Sequence, residues 1–520
     1  MKKRLILTLV SLLLIGSFAA CDMEFGGLVG ELLNEGVLGE GLLGEIDEVT
    51  IGNVIDRPDV EDSWIEETWG EETWVETDIL IEPTPGLELP ENAYPGESVT
   101  ILGSDYQDLG SLEELSGIVH ELSYERNKMV EDAFNIHINT EYCSWTDIAD
   151  KTKTIVRAGA PDYDIVMAEI AYTGAELALD GCLVNLNTLP YVDMSGSAWD
   201  ADVNEGLAIG SFLPMATGAL VPTSDLNTSM LAFNKQMADE MGVDLYDYVA
   251  CGGWTLSKMH TFVSETYVDL NGNGQADGDD RFGLALEGDR TYAFACGADV
   301  MLVDKDAQNL PVINDVSDSD PYPMLAAFDE FYAMVLDRGC LYLATHAFTN
   351  AAKQEPQIVF ESGRALLYGT TVEITLNLYE TGILHGVLPY PKLNEEQVNY
   401  QSFVNTSACA VMVPQSARNH DLAGYALQGL ALVSDGLYQQ RLSTKFCHSA
   451  QDQEMLTLIW DTKTLDFGSN YLIGEMENKV QYFSALLDGQ SGNVVSWFIQ
   501  NQKGLQKYLE KLISSYEDLQ

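Results

Sequence analysis

The 520-residue chain carries 81 acidic against 26 basic side chains, a formal charge of −55, with 46% apolar residues. That balance repels nucleic acid and anionic lipid at long range and argues against a nucleic-acid partner. The apolar share is that of a globular protein, and the length suffices for two domains with cores of their own. Lys2, Lys3 and Arg4 open the chain, Leu5 to Phe18 is apolar, and Ala19-Ala20 precede Cys21. A charged head, a short apolar run and small residues at a cut describe an export signal over 1–20. No later stretch reaches the roughly 18 apolar residues of a spanning helix.

The Ala-Ala-Cys junction resembles the lipobox of bacterial lipoproteins. The resemblance implies that Cys21 takes a lipid, palmitate among its acyl chains, and becomes the first residue of an anchored chain on the extracellular face of the cell membrane. Residues 21–97 then read as an acidic linker. From 22 to 97 there are 22 acids against one base, Arg57, with glycine-rich near-repeats and Pro83, Pro85, Pro90 and Pro95 towards the end. Like charge with proline and glycine keeps a chain extended and solvated. A partner-binding role is the other reading, because Trp64, Trp69 and Trp74 recur every five residues. Seven further cysteines, an odd number without a C-x-x-C pair, read mostly as small buried hydrophobes.

From Ser98 the texture changes. Val99 to Gly103 is a candidate buried strand, a polar helix is expected over about 111–134, and Ile136 to Tyr142 alternates as a second strand. Ala149 to Ala158 reads as helix and Tyr163 to Met167 as a third, buried strand. Strands alternating with helices imply βαβ units and a parallel sheet, whose ligands bind at the carboxyl ends of the strands. That points to Ser104 and Asp105 after the first strand, and to Glu169 and Tyr172 after the third.

Six segments carry a wider resemblance: Ala158 to Val166, Leu179 to Leu186, Met230 to Lys235, Gly253-Trp254-Thr255, Phe360 to Leu367 and Leu388 to Leu393. In this order and spacing the chain resembles the extracellular solute-binding proteins, family 1, of ABC importers, a group that includes many carbohydrate binders. The resemblance implies an α/β, two-lobed periplasmic-binding-protein-like fold (type II) that closes on a small solute, and an importer permease as partner. Lobe 1 is expected over 98–217 plus about 345–388, and lobe 2 over 218–344 plus about 389–520. Crossings between lobes are expected at about 215–230, 340–356 and 388–400, and the protein is expected to be a monomer.

A separate motif runs from Asp269 to Asp280. Asp269, Asn271, Asn273, Gln275, Asp277 and Asp280 occupy positions 1, 3, 5, 7, 9 and 12 of a calcium loop, with Gly274 at the turn. Calcium is the expected cofactor, in a structural role. A surface turn rich in Asn, Gly and Asp has the same composition.

A sugar ring offers an apolar face to aromatic side chains and hydroxyls to carboxylates and amides. The aromatic candidates are Trp145, Tyr172, Trp199, Trp254, Tyr292 and Tyr368, with Asp105, Glu169 and Asp225 for the hydroxyls. The leading expectation is a non-catalytic protein that binds an oligosaccharide by hinge closure. The alternatives are an extracellular glycan-degrading enzyme, whose carboxylate pair so acidic a chain could supply, and a surface sensor or adhesion module.

Overall fold

The computed structural model describes residues 89–517 apart from 106–107, 111–116, 302, 315–322, 337–340, 344–354 and 472–493. The expected signal, Cys21 and the linker up to residue 88 lie outside the described residues. Within the last residues of the expected linker, Leu89 and Tyr94 pack on the folded part while most of 90–97 is exposed. Leu89 is buried, and Tyr94 sets its ring edge-on to Tyr425 and Tyr191, with centroids 5.3 and 6.2 Å away. The Gly96 amide donates to Asn135 O at 2.7 Å. Aromatic burial there outweighs the solvating effect of the prolines.

Three parallel strands follow: β1 (Ser98–Ser104), β2 (His137–Cys143) and β3 (Ile165–Glu169). Parallel pairing requires long crossovers, supplied by the helices Ile118–Phe134 and Ile148–Ala158. Both helices stop in left-handed conformation, at Asn135 (φ 52°) and Gly159 (φ 61°). There the cap amides turn back onto Glu131 O and Ile155 O, satisfying carbonyls the helix leaves open. β3 is buried at every position, as an apolar run between two neighbours should be, whereas β2 lies at the edge and is largely exposed.

The remaining strands are β4 (Ser229–Asn234), β5 (Phe282–Leu286), β6 (Val303–Lys305), β7 (Pro311–Ile313), β8 (Leu341–Leu343), β9 (Ala365–Thr371), β10 (His385–Leu388), β11 (Ser402–Phe403), β12 (Cys409–Met412) and β13 (Lys463–Thr464). They complete a four-stranded sheet in the order β12-β3-β1-β2 and a five-stranded sheet in the order β10-β4-β9-β5-β8. β6 and β7 pair with each other, as do β11 and β13. The two larger sheets are the centres of the two lobes.

The sheets divide the chain differently from the expected boundaries. β9 pairs antiparallel with β4 and so does β10, which places 365–388 of the segment expected in lobe 1 (about 345–388) in lobe 2 instead. β12 pairs with β3, and the helix His420–Ser434 packs on Ile118–Phe134, so 409–434 belongs to lobe 1, not lobe 2. The expected crossing at 340–356 is corrected as well, because β8 and β9 both belong to the lobe 2 sheet. The crossing expected at 388–400 lies later, between β11 and β12, where Val404 bridges Thr228 and Ala408 still precedes the lobe 1 strand. Strand patterns reveal that an element pairs, not with which sheet.

All six described cysteines outside the signal are free: Cys182, Cys296 and Cys409 are buried, Cys143 and Cys447 half-buried, and Cys251 exposed. Among the described residues no helix is long and apolar enough to cross a membrane.

A buried ionic contact pins the helix Ala450–Asp461 onto lobe 2. Lys235 Nζ, just past β4, sits 2.9 Å from Asp452 Oδ2, and Ser449 Oγ donates to the same oxygen at 2.9 Å. Tyr246 OH donates to the other carboxylate oxygen. Burial pushes the Asp452 carboxyl up, but these three hydrogen bonds outweigh it and hold it below the usual carboxylate range. The folded protein therefore binds that proton less tightly than the unfolded chain. The resulting stability is complete above the unfolded carboxylate value and disappears as pH falls through the folded one. Asp452→Asn should cost about 3–5 kcal/mol at neutral pH by leaving Lys235 without its counter-charge. Urea denaturation across pH checks this, and the gap between variant and wild type should narrow in acid.

Candidate functional site

Strand direction places the site. Ser229, the first residue of β4, pairs with Thr371, the last of β9, and β5 runs parallel to β9. The carboxyl ends of β9 and β5 therefore lie on the side where the chain enters lobe 2. In lobe 1, Cys409 opens β12 opposite Glu169, the last residue of β3, with β1 and β2 parallel to β3. The carboxyl ends of both sheets thus lie at the crossings, where open α/β sheets bind ligands.

On the lobe 1 edge, five of the expected residues come together. Ser104 Oγ donates to Glu169 Oε1 at 2.6 Å, joining the ends of β1 and β3. The Asp105 amide donates to Cys143 O at 3.0 Å, and the Trp145 amide donates to Asp105 Oδ1 at 2.8 Å, tying the β2 end to the β1 end. Trp145 and Tyr172 meet edge to face with centroids 5.9 Å apart. Both rings are exposed, 38% and 39%, as are Tyr142 and Tyr379 elsewhere. Tyr172 owes its position to the single helical turn Ile170–Gly174, whose other residues are buried.

Glu169, at the end of β3, is almost wholly buried, and its Oε2 has no hydrogen-bond partner. Burial pushes its carboxyl up, the Ser104 hydrogen bond pulls it part of the way back, and the charge of Asp105 adds a smaller upward push.

On the lobe 2 edge the ends of β5 and β9 carry charged groups that the sequence reading passed over. Glu287 and Arg290 follow β5, and Glu373 follows β9. Glu373 is exposed, yet crowded enough that desolvation pushes its carboxyl up, with Arg290 acting in the opposite direction. The signal for them was the one used in lobe 1, polar residues at strand ends.

The other expected contacts are corrected by burial. Trp199 packs in lobe 1 with Nε1 donating to Gln428 Oε1 at 3.1 Å. Trp254 is fully buried and donates to Pro389 O at 3.0 Å. Tyr368 stacks on Phe360 in the lobe 2 core, and Tyr292 lies buried edge-on to Phe403. Asp225 is held by Lys463 and Gln439, at 2.6 and 3.0 Å. An aromatic ring in a motif-rich segment is more often core than contact surface, because its area rewards burial most.

The loop Asp269–Asp280 is folded on itself. Asp269 accepts from the amides of Gly272 and Gly274 at 2.7 and 2.8 Å. Asn271 and Asn273 accept from the amides of Asn273 and Gln275, and both donate side-chain N–H to Asp277. Positions 1, 3, 5 and 9 are thus gathered by local hydrogen bonds, an oxygen-rich donor set that fits a hard cation. Asp280 departs from the expected role of closing ligand. It is fully buried, accepting from the amides of Leu270 and Asp277 at 3.0 and 3.1 Å and from Tyr267 OH at 3.3 Å. Its two carboxylate oxygens are taken up by these three donors. Among the described residues, no three His, Cys, Asp or Glu side chains are grouped to hold a metal.

Residues 121–309 match the family model described as bacterial extracellular solute-binding protein. Solved structures with the same fold include a cyclo/maltodextrin-binding protein complexed with maltotetraose. It shares 12% identity at a TM-score of 0.52, covering 81% of this chain and 97% of that one. The extracellular solute-binding protein from Staphylococcus aureus in complex with maltose shares 11% identity at a TM-score of 0.51, covering 83% and 99%. No curated protein matches the chain. The chain therefore has the two-lobed α/β fold of extracellular solute-binding proteins and carries that family's pattern across the first crossing and into both lobes.

Glu169→Gln keeps the shape and removes the buried charge. Because the Glu169 pKa is raised on folding, wild-type stability declines as pH climbs from the unfolded carboxylate value to the folded one. The variant should lack that decline, so its melting temperature relative to wild type should rise over the interval. Thermal denaturation between acid and neutral pH measures it.

Proposed function

We propose that this protein is the non-catalytic, extracellular binding component of an ABC importer, taking an oligosaccharide between its lobes. The observation that carries this reading is the exposed Trp145–Tyr172 pair beside Asp105 at the carboxyl edge of the lobe 1 sheet. Two aromatic faces with a carboxylate beside them suit a sugar ring, whose apolar face stacks while its hydroxyls are hydrogen-bonded. Glu287, Arg290 and Glu373 supply polar partners from lobe 2. Similar folds have been solved with maltotetraose and with maltose bound, and the matched family is extracellular. Lipidation at Cys21, a long acidic linker and a permease partner complete the proposal, with the protein acting as a monomer. Binding should close the lobes as a population shift, without turnover.

Calorimetry with maltotetraose and a panel of glycans tests the ligand class. Trp145→Ala and Tyr172→Ala should each weaken binding about tenfold or more, a loss of ~1.4 kcal/mol or greater, with unchanged melting temperature in the absence of ligand. Binding of a peptide or metabolite, with no glycan bound, would contradict the sugar assignment.

We also propose that Asp269, Asn271, Asn273 and Asp277 hold a structural calcium ion. The local hydrogen bonds that gather these side chains support it. The ion would supply charge neutralisation and rigidity to the turn that leads into β5. At calcium one hundredfold above its Kd the protein should gain about 2.7 kcal/mol. The melting temperature should rise with calcium and fall with chelator in wild type, and in Asp277→Ala respond to neither.

A further inference from the structure

The helix Ala450–Asp461 has a buried ionic contact at each end, and the two contacts belong to different lobes. At its start, Asp452 and Ser449 are bound by Lys235 and Tyr246 of lobe 2. Just beyond its end, Lys463 Nζ lies 2.6 Å from Asp200 Oδ1 and 2.6 Å from Asp225 Oδ1. Asp200 belongs to lobe 1, where its amide donates to Thr217 O, and Asp225 lies in the first crossing. The segment Lys463-Thr464 forms β13 beside β11, at the second crossing. A 12-residue helix is a rod about 18 Å long. Pinned at both ends, it spans the junction between the lobes.

The two ends differ. The lobe 2 end has one carboxylate, bound by three donors. The lobe 1 end has one ammonium between two carboxylates, 2.6 Å from an oxygen of each. Ser224 Oγ donates to Asp200 Oδ2 at 2.6 Å and accepts from Lys463 at 3.1 Å, while Gln439 Nε2 holds Asp225 Oδ2 at 3.0 Å. Next to Asp200 and Asp225 lies a polar cavity of about 50 Å³, also lined by Ser197, Asp435, Tyr438 and Gln439. That is room for water, which can hydrogen-bond buried polar groups there.

We infer that this helix is a strut that sets the angle between the lobes, fixed at its Asp452 end and jointed at Lys463. The ammonium trades weight between Asp200 and Asp225 as the lobes rotate, so the charge stays compensated throughout the movement. A buried charge must keep a partner at every angle, since an uncompensated one is strongly destabilising. Lys463 touches no ligand in this account; it positions the two halves of the site. The inference rests on the two-lobed fold and not on which solute binds.

The test uses the full mature chain without ligand. Small-angle X-ray scattering reports lobe separation, and amide hydrogen exchange reports the crossings. Lys463→Met should change the radius of gyration and accelerate exchange over 222–229 and 402–405 at least tenfold, leaving β1 and β5 protected as in wild type. Lys153→Met, which breaks an ionic cluster inside lobe 1 with Asp150 and Glu176, should alter neither reading. Should Lys463→Met not fold, the charge-balanced D200N/D225N/K463M variant removes the joint without leaving a bare carboxylate, and the same changes are expected. Wild-type scattering and exchange in whichever of the two variants folds would overturn the inference, as would an identical response from Lys153→Met.

Discussion

The direction of the strands at the crossings is the constraint on which the rest of the structure depends. Because Ser229 pairs with Thr371 and Cys409 with Glu169, the carboxyl ends of both sheets are brought to the same junction. Side chains far apart in sequence, such as Ser104, Trp145 and Glu373, are placed on the crossing side of their sheets by that single arrangement. A sheet flipped end for end would carry the same residues away from the junction. The core does not select this outcome on its own, since both lobes bury apolar strands equally well.

Electrostatics follow from the scarcity of cations. With 26 basic side chains against 81 acidic ones, most carboxylates must be solvated, and the few buried cations occupy positions where elements meet. Lys235 and Lys463 join the helix Ala450–Asp461 to the two lobes. Arg126, fully buried, donates to Leu220 O at 2.9 Å and to Tyr438 OH at 3.2 Å, tying the first helix of lobe 1 to the first crossing. Lys305, next to the hairpin turn of β6 and β7, is lowered to about 8 by burial with no carboxylate close enough to restore it fully. Such buried polar contacts specify geometry more than they add stability, because desolvation consumes much of the Coulomb gain.

Much of lobe 1 was legible in the sequence. The apolar runs at Val99 and Tyr163, separated by helices, give the parallel strands, and the strand-end rule finds Ser104, Asp105, Glu169 and Tyr172 without any knowledge of the fold. Trp145, chosen as an aromatic, lies just past the end of β2. Long-range pairing was not legible: nothing in Cys409 to Met412 says that this strand returns to lobe 1, and nothing in Ala365 to Thr371 says that it does not. Trp199, Trp254, Tyr292 and Tyr368, chosen as aromatics, are buried instead, because large rings reward burial most. The lobe 2 charges at Glu287, Arg290 and Glu373 were missed for the converse reason, since exposed acids are ordinary in so acidic a chain.

The central claim is that two rigid halves close on a sugar bound at the crossing side of both sheets. Small-angle X-ray scattering of the mature protein with and without a saturating glycan, one established as a ligand by calorimetry, tests it most directly. The account predicts a smaller radius of gyration and a shorter maximum dimension on binding, abolished together with affinity in a Trp145→Ala, Tyr172→Ala double variant. Identical scattering curves at full saturation would contradict it.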